Sequence, residues 1–159
     1  MNLLKESARR VQNLLSEMVG YHNQVMQLPE STRTAQEAAE AIGCEVSQIA
    51  KSLIFRLKHS DRALLVVASG GNRVNEKSLS TRLMDKLVKA DADFVRERTG
   101  FVIGGVAPIG HTEKLTAVID EDLLQFKTIW AAAGHPKAVF ELTPDELIAM
   151  TQGQVMSIQ

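Results

Sequence analysis

The segment Gly104-Gly105-Val106-Ala107-Pro108-Ile109-Gly110-His111 holds three glycines and a proline within its first seven residues, directly after the apolar Phe101-Val102-Ile103. Glycine lets a backbone approach a ligand closely and adopt positive φ, and proline holds such a loop in one shape. Together they could turn main-chain N–H groups toward a carbonyl oxygen, as an oxyanion hole does. The same composition also suits a plain tight turn. Lys51 heads an apolar strand, Lys51-Ser52-Leu53-Ile54-Phe55-Arg56-Leu57. Its ammonium either snorkels to solvent or lines a pocket and meets a phosphate or carboxylate. His135, inside Gly134-His135-Pro136, could move a proton or donate a hydrogen bond near neutral pH, or be an exposed turn histidine. Asp120-Glu121-Asp122 reads as an acid pair or as the acidic cap of a helical turn. Lys58, Arg62, Arg73 and Lys77 could frame a basic rim or be scattered surface charge.

Other chemistries are missing from the sequence. There is no Gly-Lys-Ser/Thr phosphate loop, no GxSxG elbow and no HExxH pair, and Gly70-Gly71-Asn72-Arg73 is not a dinucleotide fingerprint. His22, His59, His111 and His135 lack metal-ligand spacing. Cys44 is the single cysteine, so neither an internal disulfide nor a cysteine-based zinc cluster can form. A net charge of −1 argues against a protein that grips long nucleic acid by charge alone, and leaves room for a short single-stranded end held in a local groove. The first residues lack the apolar run of a signal peptide, and stretches such as Ala63 to Ala68 are too short to span a bilayer. The expectation is a cytoplasmic protein.

The elements that must position these residues are legible as patterns. With 45% hydrophobic and 23% charged residues, the 159-residue chain suits one domain, 1–159, with a real core. Leu4, Ala8, Val11, Leu15 and Met18 recur at helical spacing, with Gly20 as the stop. Val25 to Leu28 is a strand candidate, and Thr34-Ala35-Gln36-Glu37 opens an alanine-rich helix ending at Gly43. A turn at Ser47 to Ala50 leads into the Lys51 strand, whose hairpin partner is Ala63 to Ser69. After Gly70-Gly71-Asn72, helical patterns cover Ser78 to Leu87 and Asp91 to Arg98, with Gly100 as terminator. Strands are expected at Thr116 to Ile119, Thr128 to Ala133 and Ala138 to Leu142, the last two joined by Gly134 to Lys137. A final helix starts at Thr143-Pro144-Asp145-Glu146 and ends at Gly153. The fold expected is α+β, a mixed α/β domain whose central, largely antiparallel curved sheet is surrounded by helices.

Three features arrive in order: Ile49-Ala50-Lys51-Ser52-Leu53-Ile54-Phe55, the Gly104 to His111 loop, and Gly134-His135-Pro136, with Ala117 to Leu123 between the last two. This arrangement resembles the YbaK / prolyl-tRNA synthetase-associated editing family from the Thr34 helix to the last helix. The resemblance implies a deacylase for misacylated tRNA, usually tRNA for proline, with the 3′ acceptor end as the partner and prolyl-tRNA synthetase as a second candidate partner. No membrane or DNA partner is implied. It also implies a pocket lined by Lys51 and a GxxxP loop, Gly104, Gly105, Val106, Ala107 and Pro108, whose backbone positions the ester or the water. His135 is the third element, with no metal or other cofactor and a ribose hydroxyl assisting the water. Lys51, His111, Asp120, Arg73 and Lys77 are the candidates for holding substrate or tRNA. An aminoacyl ester is already activated, so orientation and an oxyanion hole could suffice without a side-chain nucleophile. A pocket cannot easily exclude a smaller side chain, so the site must reject proline by shape while admitting small residues, and alanine, the smallest common mischarge, is the first candidate for the amino acid removed. The alternatives are a non-catalytic module that binds tRNA ends or a synthetase, and a metal-dependent esterase, which the missing ligand pattern disfavours.

Overall fold

The computed structural model describes residues 6–18, 21–29 and 34–159; the sequence-based helix start at Leu4 and stop at Gly20 lie outside them. The elements in chain order are α1 (Glu6–Glu17), β1 (Val25–Gln27), α2 (Ala35–Ile42), β2 (Ile49–Leu57), β3 (Arg62–Ser69), α3 (Glu76–Leu83) and β4 (Leu87–Lys89). They continue with α4 (Ala92–Thr99), β5 (Thr116–Asp120), β6 (Ile129–Ala132), β7 (Ala138–Leu142), α5 (Pro144–Thr151) and β8 (Gln154–Met156). Short 3-10 turns at Val46–Gln48 and Glu121–Gln125 lead into β2 and follow β5.

All eight strands join one sheet in the order β1-β7-β6-β2-β3-β5-β8, with β4 also on β2. Four pairings are antiparallel (β1–β7, β2–β3, β2–β4, β6–β7) and three parallel (β2–β6, β3–β5, β5–β8), so the sheet is mixed with a small antiparallel majority. β3 lies inside it between β2 and β5, and Ala63 through Ser69 are all buried, which is why that stretch is apolar without alternation. On one face, Leu65, Val67, Ala117, Ile119, Ala131 and Phe140 meet Ala8, Val11 and Leu15 of α1, Val95 of α4 and Leu147 of α5. On the other, Leu64, Val66, Ala68 and Val118 meet Leu79 of α3 and Ile158. There α2 packs Ala35, Ala38 and Ala39 onto Ile49, beside Trp130.

Local signals set most helix ends. Thr34 Oγ1 accepts the Glu37 N–H at 3.1 Å, and Gly43 closes α2 in the left-handed region at φ 86°. Thr143 and Glu146 form a reciprocal capping box with Pro144 behind the cap. Other ends differ from the sequence reading. α3 starts at the Asn75 cap, whose side chain accepts the Ser78 N–H, and stops at Met84, a non-glycine residue at φ 57°. Of the residues read as its last turn, Met84 to Lys86 form a turn and Leu87 begins β4. Likewise α5 ends at Gln152, φ 55°, and β8 follows along β5.

Two buried devices hold the loops. Asp120, 1% exposed, ends β5. Its carboxylate accepts the Ser69 N–H, an Asn72 amide N–H and the Asp122 N–H at 2.9, 2.9 and 3.0 Å, tying the end of β3, the Gly70-Gly71-Asn72 turn and the 3-10 turn together. At the far end of the glycine loop, His111 Nε2–H donates to the Ala107 carbonyl at 2.7 Å and its ring stands edge-on to Phe101, 6.2 Å between centroids. Arg10 of α1 lies 4.5 Å over the Phe101 ring and donates to the Gly110 carbonyl at 3.1 Å. Burial pushes the His111 pKa below the usual imidazole range and the Arg10 charge adds to this, against the Ala107 hydrogen bond, which favours the proton.

Asp120→Ala strands three donors that a charged acceptor had satisfied, so it should cost about 2–4 kcal/mol in denaturant unfolding. A variant of unchanged stability would show that Asp120 does not brace these turns. For His111, the unfolded chain takes up a proton near pH 6.5 and the folded chain only below that. Its contribution is therefore complete above about pH 6.5 and is lost as pH falls through the depressed folded pKa. Wild type should lose stability relative to His111→Gln as pH is lowered from about 7 to 5; parallel pH curves for the two proteins would refute this.

Candidate functional site

β2 changes partners along one edge. β6 pairs with Ile49 and Ala50, and β4 pairs with Phe55 to Leu57. Lys51 to Ile54, between them, have no strand on that edge. Two contacts fix which main-chain groups face the opening. Lys58 N–H donates across to the Lys86 carbonyl on the β4 side, and Ser69 N–H, opposite Ala50, turns away from β2 toward Asp120. Antiparallel strands alternate the direction of their hydrogen-bonding groups, so Ser52 directs its N–H and C=O and Ile54 its N–H into the opening, while the Phe55–Lys89 register gives the Ile54 C=O to the Ala90 N–H, and Lys51 and Leu53 bond β3.

A cavity of about 300 Å³ fills this opening. Side chains alternate across a strand. Lys51, Leu53 and Phe55 therefore point to the α2 and α3 face, and Ser52 and Ile54 to the α1 and α4 face. The cavity touches both sets. On the first side Thr34, Ala35, Ala38, Trp130 and Val139 close it; on the second, Ala90, Val95, Ile103, Gly104 and Val106. It thus passes through the sheet. Two lysines, Lys51 and Lys89, line it, and among the described residues no carboxylate does. No ion pair is formed by Lys51 with any described residue. The local field favours an anion although the chain as a whole carries −1.

The glycine loop divides its residues. Gly104 stands at φ 89°, where an L side chain is strained. Gly105 N–H closes a turn on the Val102 carbonyl at 3.0 Å, and a Cβ at Gly105 would lie 3.0 Å from the His135 Cα and the Pro136 Cδ. Among the described residues, the N–H groups of Gly104 and Val106 have no acceptor. Gly104 and Val106 thus carry free main-chain donors on the cavity wall, while Gly105 is seated against the Gly134 to Pro136 turn. Ala107 is buried and spends its carbonyl on His111.

The other sequence candidates lie elsewhere. Pro108 and His111 line a separate hollow with Leu14 and Met150. His135 lines a third with Ser7 and Phe101, and its Nδ1 accepts the Lys137 N–H at 3.0 Å, which fixes the Nε2–H tautomer of the neutral ring. It is outside the cavity lining and lies against Gly105. Asp120 is a buried brace, and Arg73 and Lys77 are exposed residues beyond β3 outside the cavity lining. Sequence reasoning gave no role to Ser52, Lys89 or Trp130, which do line it. The hydroxyl of Ser52 within an apolar strand was the one visible signal; Lys89 and Trp130 arrive through pairings of β4 and β6 that no local pattern marks.

Residues 29–150 match the model of the aminoacyl-tRNA editing domain. An uncharacterized Bacillus subtilis protein, YwhH, is 37% identical over 125 residues, 79% of each chain. An Enterococcus faecalis protein named provisionally as a Cys-tRNA(Pro)/Cys-tRNA(Cys) deacylase, EbsC, is 26% identical over 130 residues, 81% of this chain and 79% of that one. A crystal structure of a protein described provisionally as a trans-editing enzyme for prolyl tRNA synthetase superposes with a TM-score of 0.93 at 46% identity, over 99% of both chains. A split sheet with a two-sided cavity, a lysine on one side and free loop donors on the other, thus sits within a matched segment covering most of the chain, and the protein belongs to the aminoacyl-tRNA editing domain family.

Proposed function

We propose that this protein is a trans-acting, metal-independent aminoacyl-tRNA deacylase of the cytoplasm that hydrolyses the ester of a mischarged tRNA, tRNA(Pro) carrying a small non-cognate amino acid such as alanine. The observation that carries this reading is the cavity itself, which offers Lys51 on one side of the sheet and the unpaired Gly104 and Val106 N–H groups on the other. A 3′ acceptor end laid across the opening keeps its phosphate beside Lys51 and passes its aminoacyl group through the sheet. The loop N–H groups then meet the ester oxygen as charge develops on it, which is worth more in a dry site than in water. Water, assisted by the neighbouring ribose hydroxyl, attacks the carbonyl carbon, the ester C–O bond breaks, and the ribose oxygen leaves with the proton. At about 300 Å³ the cavity is at the small end of ligand pockets, which suits a small acyl group. His135 acts on this site by seating Gly105. Among the described residues no three His, Cys, Asp or Glu side chains cluster in a metal-binding group, which supports a reaction without a bound ion. A synthetase partner would present the tRNA. A module that binds the tRNA end without cleaving it is the competing reading, and it predicts an intact ester.

Single-turnover assays on tRNA(Pro) charged with alanine, serine, threonine, cysteine or proline should show hydrolysis of at least one small non-cognate ester, sparing proline and unaffected by chelator. Binding without hydrolysis would favour the module; loss in chelator restored by zinc would overturn metal independence. Lys51→Ala should lower kcat/KM roughly tenfold or more with unchanged thermal stability, the cost of one charge-assisted contact. Gly104→Val should lower the rate about a hundredfold or more, the scale of one lost oxyanion donor, while tRNA affinity changes less. His135→Ala should alter which amino acid is removed more than how fast the best one is removed. Wild-type rates in Gly104→Val would reduce the loop to a turn.

A further inference from the structure

Ser52 lines the cavity with a hydroxyl that the proposed function does not use. Its Oγ is buried and bonds no described protein group. It lines the cavity on the same side as Gly104 and Val106, the side where the ester carbonyl lies in the proposed function, on which this inference rests. A buried hydroxyl without a partner is a standing cost, which a ligand with a matching polar group removes. The other side chains on that wall, those of Ile54, Ala90, Val95, Ile103 and Val106, are hydrocarbon.

We propose that Ser52 is a specificity-determining residue that hydrogen-bonds the side chain of the amino acid, so that the preferred substrates carry a small hydroxyl-bearing residue, serine or threonine, over alanine. The α-ammonium, common to all the candidates, is a pure donor and needs acceptors only. The carbonyl of Ser52, on the β2 edge between the two pairings, supplies one. The Ser52 hydroxyl both donates and accepts, and a seryl or threonyl hydroxyl uses both capacities, whereas an alanyl methyl leaves Oγ stranded. Sites that hydrogen-bond a substrate hydroxyl discriminate against the analogue lacking it more sharply than apolar pockets discriminate by size.

The test measures binding apart from cleavage. Non-hydrolysable 3′-seryl-, 3′-threonyl- and 3′-alanylamino-3′-deoxyadenosine are titrated against wild type and Ser52→Ala, and single-turnover deacylation of the three corresponding aminoacyl-tRNA(Pro) species is followed alongside. Wild type should bind the seryl and threonyl analogues about fivefold or more tighter than the alanyl one. Ser52→Ala should erase that preference, leave the alanyl affinity within about twofold, and unfold at an unchanged or higher temperature, since it removes an unsatisfied polar group. An equal loss on all three analogues would assign Ser52 to the ammonium and overturn the proposal, as would a preference that survives the substitution or is missing from wild type. A serine preference without hydrolysis of any charged tRNA would uphold the role of Ser52 and overturn the deacylase reading, so the two failures are distinguishable.

Discussion

The main chain of β2 between Ala50 and Phe55 is the constraint around which the molecule is arranged. A strand buried in a sheet must pair its N–H and C=O groups, because leaving them dry and unpaired costs as much as several ordinary contacts return. Here β6 stops pairing after Ala50 and β4 begins at Phe55. The N–H and C=O of Ser52 and the N–H of Ile54 are therefore satisfied only if the opening admits something polar. A cavity at the centre of the sheet follows from that interruption, and helices α2 and α4 serve as its walls because they flank the same gap from opposite faces.

The loop that completes the wall is held from behind. Gly105 contacts the Gly134 to Pro136 turn, and His111, Phe101 and Arg10 clamp the far end to α1. No helix or strand restrains residues 101–115. Their shape comes from positive-φ glycines, one short turn and this stack. A free donor such as the Gly104 N–H keeps its aim only because its neighbours are committed elsewhere, which is how preorganised electrostatic sites avoid reorganisation during reaction. The division explains why residues adjacent in one motif have separate surroundings: Gly104 and Val106 meet the cavity, Ala107 and Pro108 do not.

Charge follows the same economy. Exposed ion pairs such as Arg98–Glu113 lie outside the cavity and contribute little. Lys51 and Lys89 stand where no carboxylate opposes them, so a near-neutral chain still presents a positive opening. Asp120 is the counterexample among the acidic residues: its charge is absorbed by three donors and serves the frame.

Much of this was written locally in the sequence. Helix caps at Thr34, Thr143 and Gly43, the β2–β3 hairpin and the glycine loop depend on neighbours a few residues apart, so side-chain type and spacing sufficed. The ordered motifs around Lys51, Gly104 and His135 identified the family for the same reason. Strands β4 and β8, three residues each, were not legible, since strands that short are stabilised by the partners they meet and Met84 ends α3 without a glycine signal. Nor could local pattern show that β4 and β6 would flank one strand with a gap between them, because that depends on pairings 30 to 34 and 81 residues away in the chain. The tertiary structure alone decided which polar groups were left over at that gap: Lys51 toward one face, Ser52 toward the other, and His135 behind the loop, each set by strand alternation and by what packs against it.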